Sequence, residues 1–352
     1  MVESGTIEQT LPGLAADIPR VEMTTGHAIP LTPQKRLMVF AGRSHPELAA
    51  KIAEQLGVEL GEVELITFAN GETYCRYCES IRGADVFLVQ TGCRPVDQNI
   101  MELLFMIQAA RLASAKRITA VVPWFPYSRQ DRKAKPREPI SSRLVADMLQ
   151  VAGVDRLLTM DLHAGQVQGF FTIPVDHMTS LPLFAQYFRD LGLTGDRVVS
   201  VAPDAGRARR AVRFAEMIDA EFAIMNKTRP SHDVASVTEI TGRVAGKVAI
   251  VGDDNISTGN TLLEGARALK EAGAEEVWVF ATHGLFAADA LERFADADLA
   301  GIVVTDTVPI DPLRRPERMT VLTVSGLLAQ TIMNVFADES VSAIFGGENQ
   351  LF

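Results

Sequence analysis

The sequence predicts a doubly wound α/β protein of two tandem domains, each a mainly parallel sheet flanked by helices, and three observations carry that prediction. From Lys35 onward, short apolar β-rich runs alternate with amphipathic stretches of helical length, the pattern of parallel strands joined by crossover helices. The chain also echoes itself: VFLVQTGCRPVDQNIMELLFMIQAARLASAKRITAVVPWF in the first half parallels VAIVGDDNISTGNTLLEGARALKEAGAEEVWVFATHGLF in the second. Both copies read as strand, polar turn, helix, small-residue break and strand, as a tandem duplication would leave them. Finally, the most polar turn of the second copy follows directly on an apolar run, where open α/β sheets bind their ligands.

Residues 1–34 hold Glu3, Glu8, Asp17 and Glu22 against Arg20 alone, with no clean periodicity. They read as a flexible N-terminal extension. The strand candidates are then 37–41, 86–90, 118–123, 157–160, 198–201, 248–251, 277–281 and 302–305. A boundary near residue 183 gives a first domain over 35–183 and a second over 184–352, whose last ~20 residues are expected to pack back on the first.

At 352 residues the chain is long enough for two domains of ordinary size. A net charge of −10 argues against a nucleic-acid partner, because binding to a polyphosphate chain is driven by basic surface. Apolar runs are short and broken by charges, which predicts no membrane span. The N-terminus has no basic region followed by an apolar core, so no secretory signal is expected. Cys75, Cys78 and Cys93 fit a reducing cytoplasm. Cys75 and Cys78 have the spacing of a redox or zinc half-site. They lie in an alternating, strand-like segment, however, where residues three apart face opposite ways. No second Cys/His pair completes a metal site, and the spacing is read as coincidence.

The most informative stretch is KVAIVGDDNISTGNTLL, from Lys247 to Leu263. An apolar run ends in the acids Asp253 and Asp254, passes through small polar residues and enters a helical pattern. Backbone N–H groups and the positive end of a helix dipole then converge, which suits phosphate. Two carboxylates beside such a site would repel the ligand unless they hold sugar hydroxyls or a magnesium ion. The combination reads as a ribose-phosphate site; the plainer alternative is a helix start with acids in its first turn. A second constellation follows residues 118–123. Arg129, Arg132, Lys133, Lys135 and Arg137 stand just after Trp124, Phe125 and Tyr127, a mixture that suits a nucleotide's phosphates and base. Alone, such a run is more often a solvated face. The link from Lys227 to Lys247 is long and polar for a connection between two strands, as functional lids often are.

These segments together resemble the phosphoribosyl-diphosphate (PRPP) synthetase family. The acid-rich turn is similar to the PRPP loop that the family shares with type I phosphoribosyltransferases. The resemblance runs from about Lys35 to the C-terminal SVSAIFG. It implies two tandem phosphoribosyltransferase-like domains, the first an ATP side and the second a ribose 5-phosphate side. By it, Asp253 and Asp254 bind the ribose hydroxyls, while Ser257, Thr258, Gly259, Asn260 and Thr261 hold the 5-phosphate. SRQDRK resembles the family's ATP segment, placing Arg129 and Gln130 on the nucleotide. DLHAGQVQGFF puts His163 beside magnesium-ATP, and PDAGRARRA makes Asp204 a second magnesium-associated residue. KTRP supplies Lys227 and Arg229 as cations for the transition state. Asn70, Gly71 and Glu72, on local sequence a plain turn, match a loop that reaches an adenine in a neighbouring subunit.

The implied activity is ribose-phosphate diphosphokinase: Mg2+-dependent transfer of the β,γ-diphosphoryl group of ATP to the C1 hydroxyl of ribose 5-phosphate, giving PRPP and AMP. The implied assembly is a hexamer built from dimers, in the cytoplasm. Four positions depart from the family pattern. Ser257 replaces an Asp, Asn260 and Arg207 each replace a Gly, and Asp233 replaces an Asn. Two rival readings fit part of the same residues. A type I phosphoribosyltransferase would not need the duplicated domain. A non-catalytic regulatory subunit would not need Lys227 and Arg229.

Overall fold

The computed structural model describes residues 35–228 and 237–345. The extension at 1–34, Arg229 and Asp233 therefore lie outside the described residues, as does the side chain of Lys227.

In chain order the first half runs β1 (Leu37–Ala41), α1 (Pro46–Leu56), a hairpin of β2 (Val63–Thr67) and β3 (Thr73–Tyr77), β4 (Asp85–Val89), α2 (Val96–Leu112), β5 (Arg117–Val122), α3 (Ser141–Ala152), β6 (Arg156–Met160) and β7 (Val175–Met178). Its main sheet is parallel, in the order β1-β4-β5-β6-β7. The second half runs α4 (Leu181–Asp190), β8 (Val198–Ala202), α5 (Ala208–Met217), β9 (Glu221–Thr228), β10 (Val237–Thr241), β11 (Val248–Ile256), α6 (Asn260–Glu271), β12 (Glu276–Gly284), α7 (Ala290–Asp296), β13 (Gly301–Thr305), β14 (Met319–Leu322) and α8 (Ser325–Ala337). Its sheet has the order β10-β9-β8-β11-β12-β13-β14. The five strands from β8 to β14 repeat the first sheet's connectivity, and β9 with antiparallel β10 extends the edge beyond β8.

The central strands are mostly apolar because helices cover both faces; every residue of β4, β8 and β13 is buried, including Asp85, Ser200 and Thr305. α2 lies over the first sheet and meets the hairpin, where Tyr77 Oη donates to the Met106 carbonyl at 2.8 Å. α8 crosses back to the first half. Its Leu328, Ala329, Ile332 and Val335 share one core with Leu48 and Ile52 of α1 and with Val39, Val121 and Leu158 of the first sheet. Burying such aliphatic side chains contributes roughly 1.5–3 kcal/mol each. Polar contacts also cross between the halves: Thr91 Oγ1 donates to the Thr307 carbonyl at 2.8 Å, and His45 Nε2 meets the Asp306 carbonyl at 2.8 Å.

All eight strand candidates are strands, with ends shifted by a residue in most cases. The main difference is β11, which continues to Ile256 instead of stopping at Val251. Its partner β12 is also long, so the ladder persists to the Ile256–Gly284 pairing. β2, β3, β7, β9, β10 and β14 fall outside the candidates. Most of them lack a continuous apolar run; β7 reads Val-Asp-His-Met.

Candidate active site at the seam of the two halves

β11 carries Asp253 and Asp254 as strand residues, not as turn residues. Asp253 is paired with Ala281 in the ladder to β12, and Asn255 with His283, which fixes the acid pair between them. Gly252 precedes them because a Cβ there would lie 2.3 Å from the Phe280 ring. Asp254 is 2 % exposed, and its amide donates to Asp253 Oδ1 at 2.8 Å.

Three side chains contact this pair, and a fourth holds one of them. His163, on the loop after β6, places Nδ1 2.9 Å from Asp254 Oδ2. Asn255 Nδ2 donates to the same oxygen at 2.6 Å. Arg129 in turn donates to Asn255 Oδ1, which ties the basic segment of the first half to the acid strand of the second. Arg207 donates through Nε to Asp253 Oδ1 at 3.2 Å and through Nη2 to Asp254 Oδ1. Nη2 also lies 2.7 Å from His163 Nδ1. One ring nitrogen cannot donate to Asp254 and accept from Arg207 together. An ionised Asp254 takes the Nδ1 proton, so in the neutral ring Nε2 keeps the free lone pair.

The two acids differ in their ionisation. Burial works against charge on Asp254, but the His163 hydrogen bond and the Arg207 guanidinium outweigh it and hold the carboxyl well below the usual range. Burial, and then the charge of Asp254, push Asp253 upward.

Downstream, Gly259 has φ +75° and caps α6 with no side-chain bond. A Cβ on it would also lie 2.2 Å from the Phe294 ring, so glycine is required twice over. Asn260 opens the helix without a positive φ; its Oδ1 accepts from Arg293 Nη1 at 2.6 Å. The Asn-for-Gly replacement therefore costs no backbone strain. The first-turn N–H groups of α6, Asn260 and Thr261 among them, have no acceptor within the helix. Ser257 and Asn255 reach a neighbouring cleft of about 410 Å³ that also holds Trp124, Tyr127, Arg129 and Gln130. That volume lies in the range of small-molecule pockets.

The remaining expected site residues lie at different distances from this centre. Asp204 is exposed at the turn before α5, where its Oδ1 accepts from the Arg207 amide at 3.1 Å. Lys227 stands near the end of β9, across from Thr238 of β10. Asn70, Gly71 and Glu72 form the exposed tip of the β2–β3 hairpin. Gly71 there has φ +90°, and Asn70 bonds both ends of Glu72. None of these three lines the cleft.

The geometry adds residues that the sequence reading left without a role. Asp161 is buried two residues before His163, with φ +35°. It pairs with Arg210 of α5 at 2.8 Å and accepts from Ser180 Oγ and Thr282 Oγ1, both at 2.6 Å. Burial opposes its charge, but Arg210 and these bonds prevail and keep it well below the carboxylate range. His177 of β7 accepts the Leu162 amide at 2.8 Å, which fixes the loop beside His163. Asn255, inside the quoted motif, was the one signal available; a buried Asp–Arg pair 49 positions apart leaves none.

Comparison with known proteins bears on the family of the chain. Residues 37–153 match the model of the N-terminal domain of ribose phosphate pyrophosphokinase, and residues 229–346 match that of the phosphoribosyl synthetase-associated domain. A ribose-phosphate pyrophosphokinase of Caldanaerobacter subterraneus subsp. tengcongensis is 47% identical over 88% of this chain and 98% of its own. Ribose-phosphate pyrophosphokinase 2, chloroplastic, of Arabidopsis thaliana is 45% identical over 88% of this chain and 78% of its own. The crystal structure of phosphoribosylpyrophosphate synthetase from Mycobacterium smegmatis superposes with a TM-score of 0.81 at 43% identity, covering 86% of this chain and all of that one.

Proposed function

Because the chain belongs to the ribose-phosphate pyrophosphokinase family, we infer that the seam between its halves transfers a diphosphoryl group from ATP to ribose 5-phosphate. The carrying observation is the continuous network Arg129–Asn255–Asp254–His163, which joins a nucleotide-type cleft to an acid pair standing before a helix start.

Asp253 and Asp254 accept hydrogen bonds from the ribose hydroxyls, and the amides of Ser257, Thr258, Gly259, Asn260 and Thr261 take the 5-phosphate. Arg129 and Gln130 hold ATP in the cleft. The C1 oxygen forms a bond to the β-phosphorus and loses its proton, the bond from that phosphorus to the α-phosphate oxygen breaks, and AMP leaves. Little covalent work falls to the protein; orientation and charge neutralisation supply the acceleration. Lys227 and Arg229 supply positive charge to the transferring group. Asn70, Gly71 and Glu72 reach the adenine of a neighbouring subunit.

His163 and Asp204 are the residues that would hold magnesium. The donor types fit: Asp204 is an exposed carboxylate and His163 keeps a lone pair on Nε2. Such a sparse set suits an ion that keeps waters and substrate phosphates as its other ligands, and it would neutralise phosphate charge there. Exposed Phe68, Met101 and Phe105 support assembly into a homo-oligomer, read as a hexamer of dimers. No helix among the described residues is long and apolar enough to cross a membrane; with three free cysteines, a cytoplasmic location is favoured.

The test is AMP release from ATP and ribose 5-phosphate with magnesium, repeated with Lys227→Ala. AMP and PRPP appear in equal amounts, and the variant loses roughly 10²–10³-fold in kcat. No AMP at any magnesium or phosphate concentration would overturn the enzyme reading in favour of a regulatory subunit.

A further inference from the structure

Arg207 is the residue of this site that the transfer reaction has not used. It ends the turn after β8, and its guanidinium is largely buried, 18% exposed, against the acid pair. Nε and Nη2 reach one oxygen each of Asp253 and Asp254, and Nη1 approaches the His163 carbonyl at 3.4 Å. A planar fork spanning two carboxylates presents two N–H donors side by side. A sugar cis-diol likewise presents two neighbouring O–H donors to such acceptors. The two compete for those oxygens.

We propose that Arg207 is an internal, displaceable occupant of the sugar site: its guanidinium holds the acid pair in the free protein and gives way when the ribose diol binds. The proposal rests on the reading of Asp253 and Asp254 as the sugar-binding acids. Physical reasons favour such an occupant. Two adjacent buried carboxylates repel, and without a cation the pair would be costly to keep ionised. Arg207 supplies that cation from a turn of ordinary backbone, φ −98°, which any residue adopts. Its fork then competes with the substrate. Sugar binding exchanges one set of charge-assisted hydrogen bonds for another, so the affinity reports only the difference.

The experiment is calorimetric titration of ribose 5-phosphate, without ATP, into the wild type, Arg207→Ala and Arg207→Ala/Asp254→Asn, with inorganic phosphate as a ligand that lacks the diol. Arg207→Ala binds ribose 5-phosphate roughly tenfold more tightly, about 1.4 kcal/mol, and inorganic phosphate no more tightly than the wild type. Its thermal midpoint is lower than the wild type's in the free state, and saturating ribose 5-phosphate narrows the gap. Unchanged or weaker binding of the sugar phosphate by Arg207→Ala overturns the proposal, as does equal tightening of both ligands. The double variant tests the underlying reading separately: if it binds ribose 5-phosphate as well as Arg207→Ala does, the acids do not hold the sugar. Arg207→Lys keeps the charge but cannot fork across both acids, and it falls between the wild type and Arg207→Ala.

Discussion

β4 and β11 hold the same place in their sheets, each between two parallel neighbours, and each feeds a polar turn and a helix. Where the first copy has Gln90, Thr91 and Gly92, the second has Gly252, Asp253 and Asp254. In the first copy these residues are turned inward. Gln90 Nε2 donates to Glu102 Oε1 at 3.0 Å, and Thr91 Oγ1 reaches across the seam to Thr307. In the second, two carboxylates remain for other partners, and His163 and Arg207 are the ones they find. The basic chemistry is divided the other way: β5 leads into Arg129 and its neighbours, whereas β12 leads into buried Phe286. One half carries the acids and the other the cations, and the candidate site lies where they meet.

The comparison breaks most severely at Asp161, the first half's own strand-end acid, which is fully paired. Arg210→Met strands that buried carboxylate and is expected to cost about 3–5 kcal/mol in urea unfolding. A loss under ~1 kcal/mol would mean that the pair holds no more than a surface bridge does.

A smaller effect comes from pH. Burial, chiefly, depresses His177 from 6.5 to about 4. The folded protein therefore resists a proton that the unfolded chain accepts. The stability associated with a neutral His177 is complete above pH 6.5 and is lost as pH falls toward 4, by at most roughly 3 kcal/mol. His283, also lowered by burial, adds to the same slope. Unfolding free energies from pH 7 to 4.5 should fall less steeply in His177→Gln, and an identical slope would remove His177 from the account.

The smallest effect separates the matched positions Thr91 and Asp253. Thr91→Val loses the hydrogen bond to Thr307 across the seam and the one accepted from the Trp124 amide, about 1–2 kcal/mol of stability, with AMP release unchanged. A large loss of activity in that variant would show that the first copy's strand end belongs to the chemistry after all.

Much of this was legible in the sequence, for reasons that differ by element. β4, β8 and β13 are buried on both faces and are mostly apolar, so they stand out. β7 does not, because its Asp176 and His177 serve a local network and break the apolar run. The acids of β11 were visible as a pair, but their place in the strand was not. The ladder's extra length depends on β12, which no local pattern of β11 encodes. Arg207 was visible as an anomaly at a turn; only the packed seam shows that its side chain folds onto Asp253 and Asp254. Arg210 and Asp161 are specified by tertiary neighbours alone.

α8 sets an order on synthesis. It is made from the last described residues, yet it covers α1 and one face of the first sheet. A ribosome releases the first half long before that cover exists. The nascent domain must wait with an apolar flank open to solvent until α8 has been made. The first half is thus closed last, which makes this stretch of its surface a natural client for chaperones during translation.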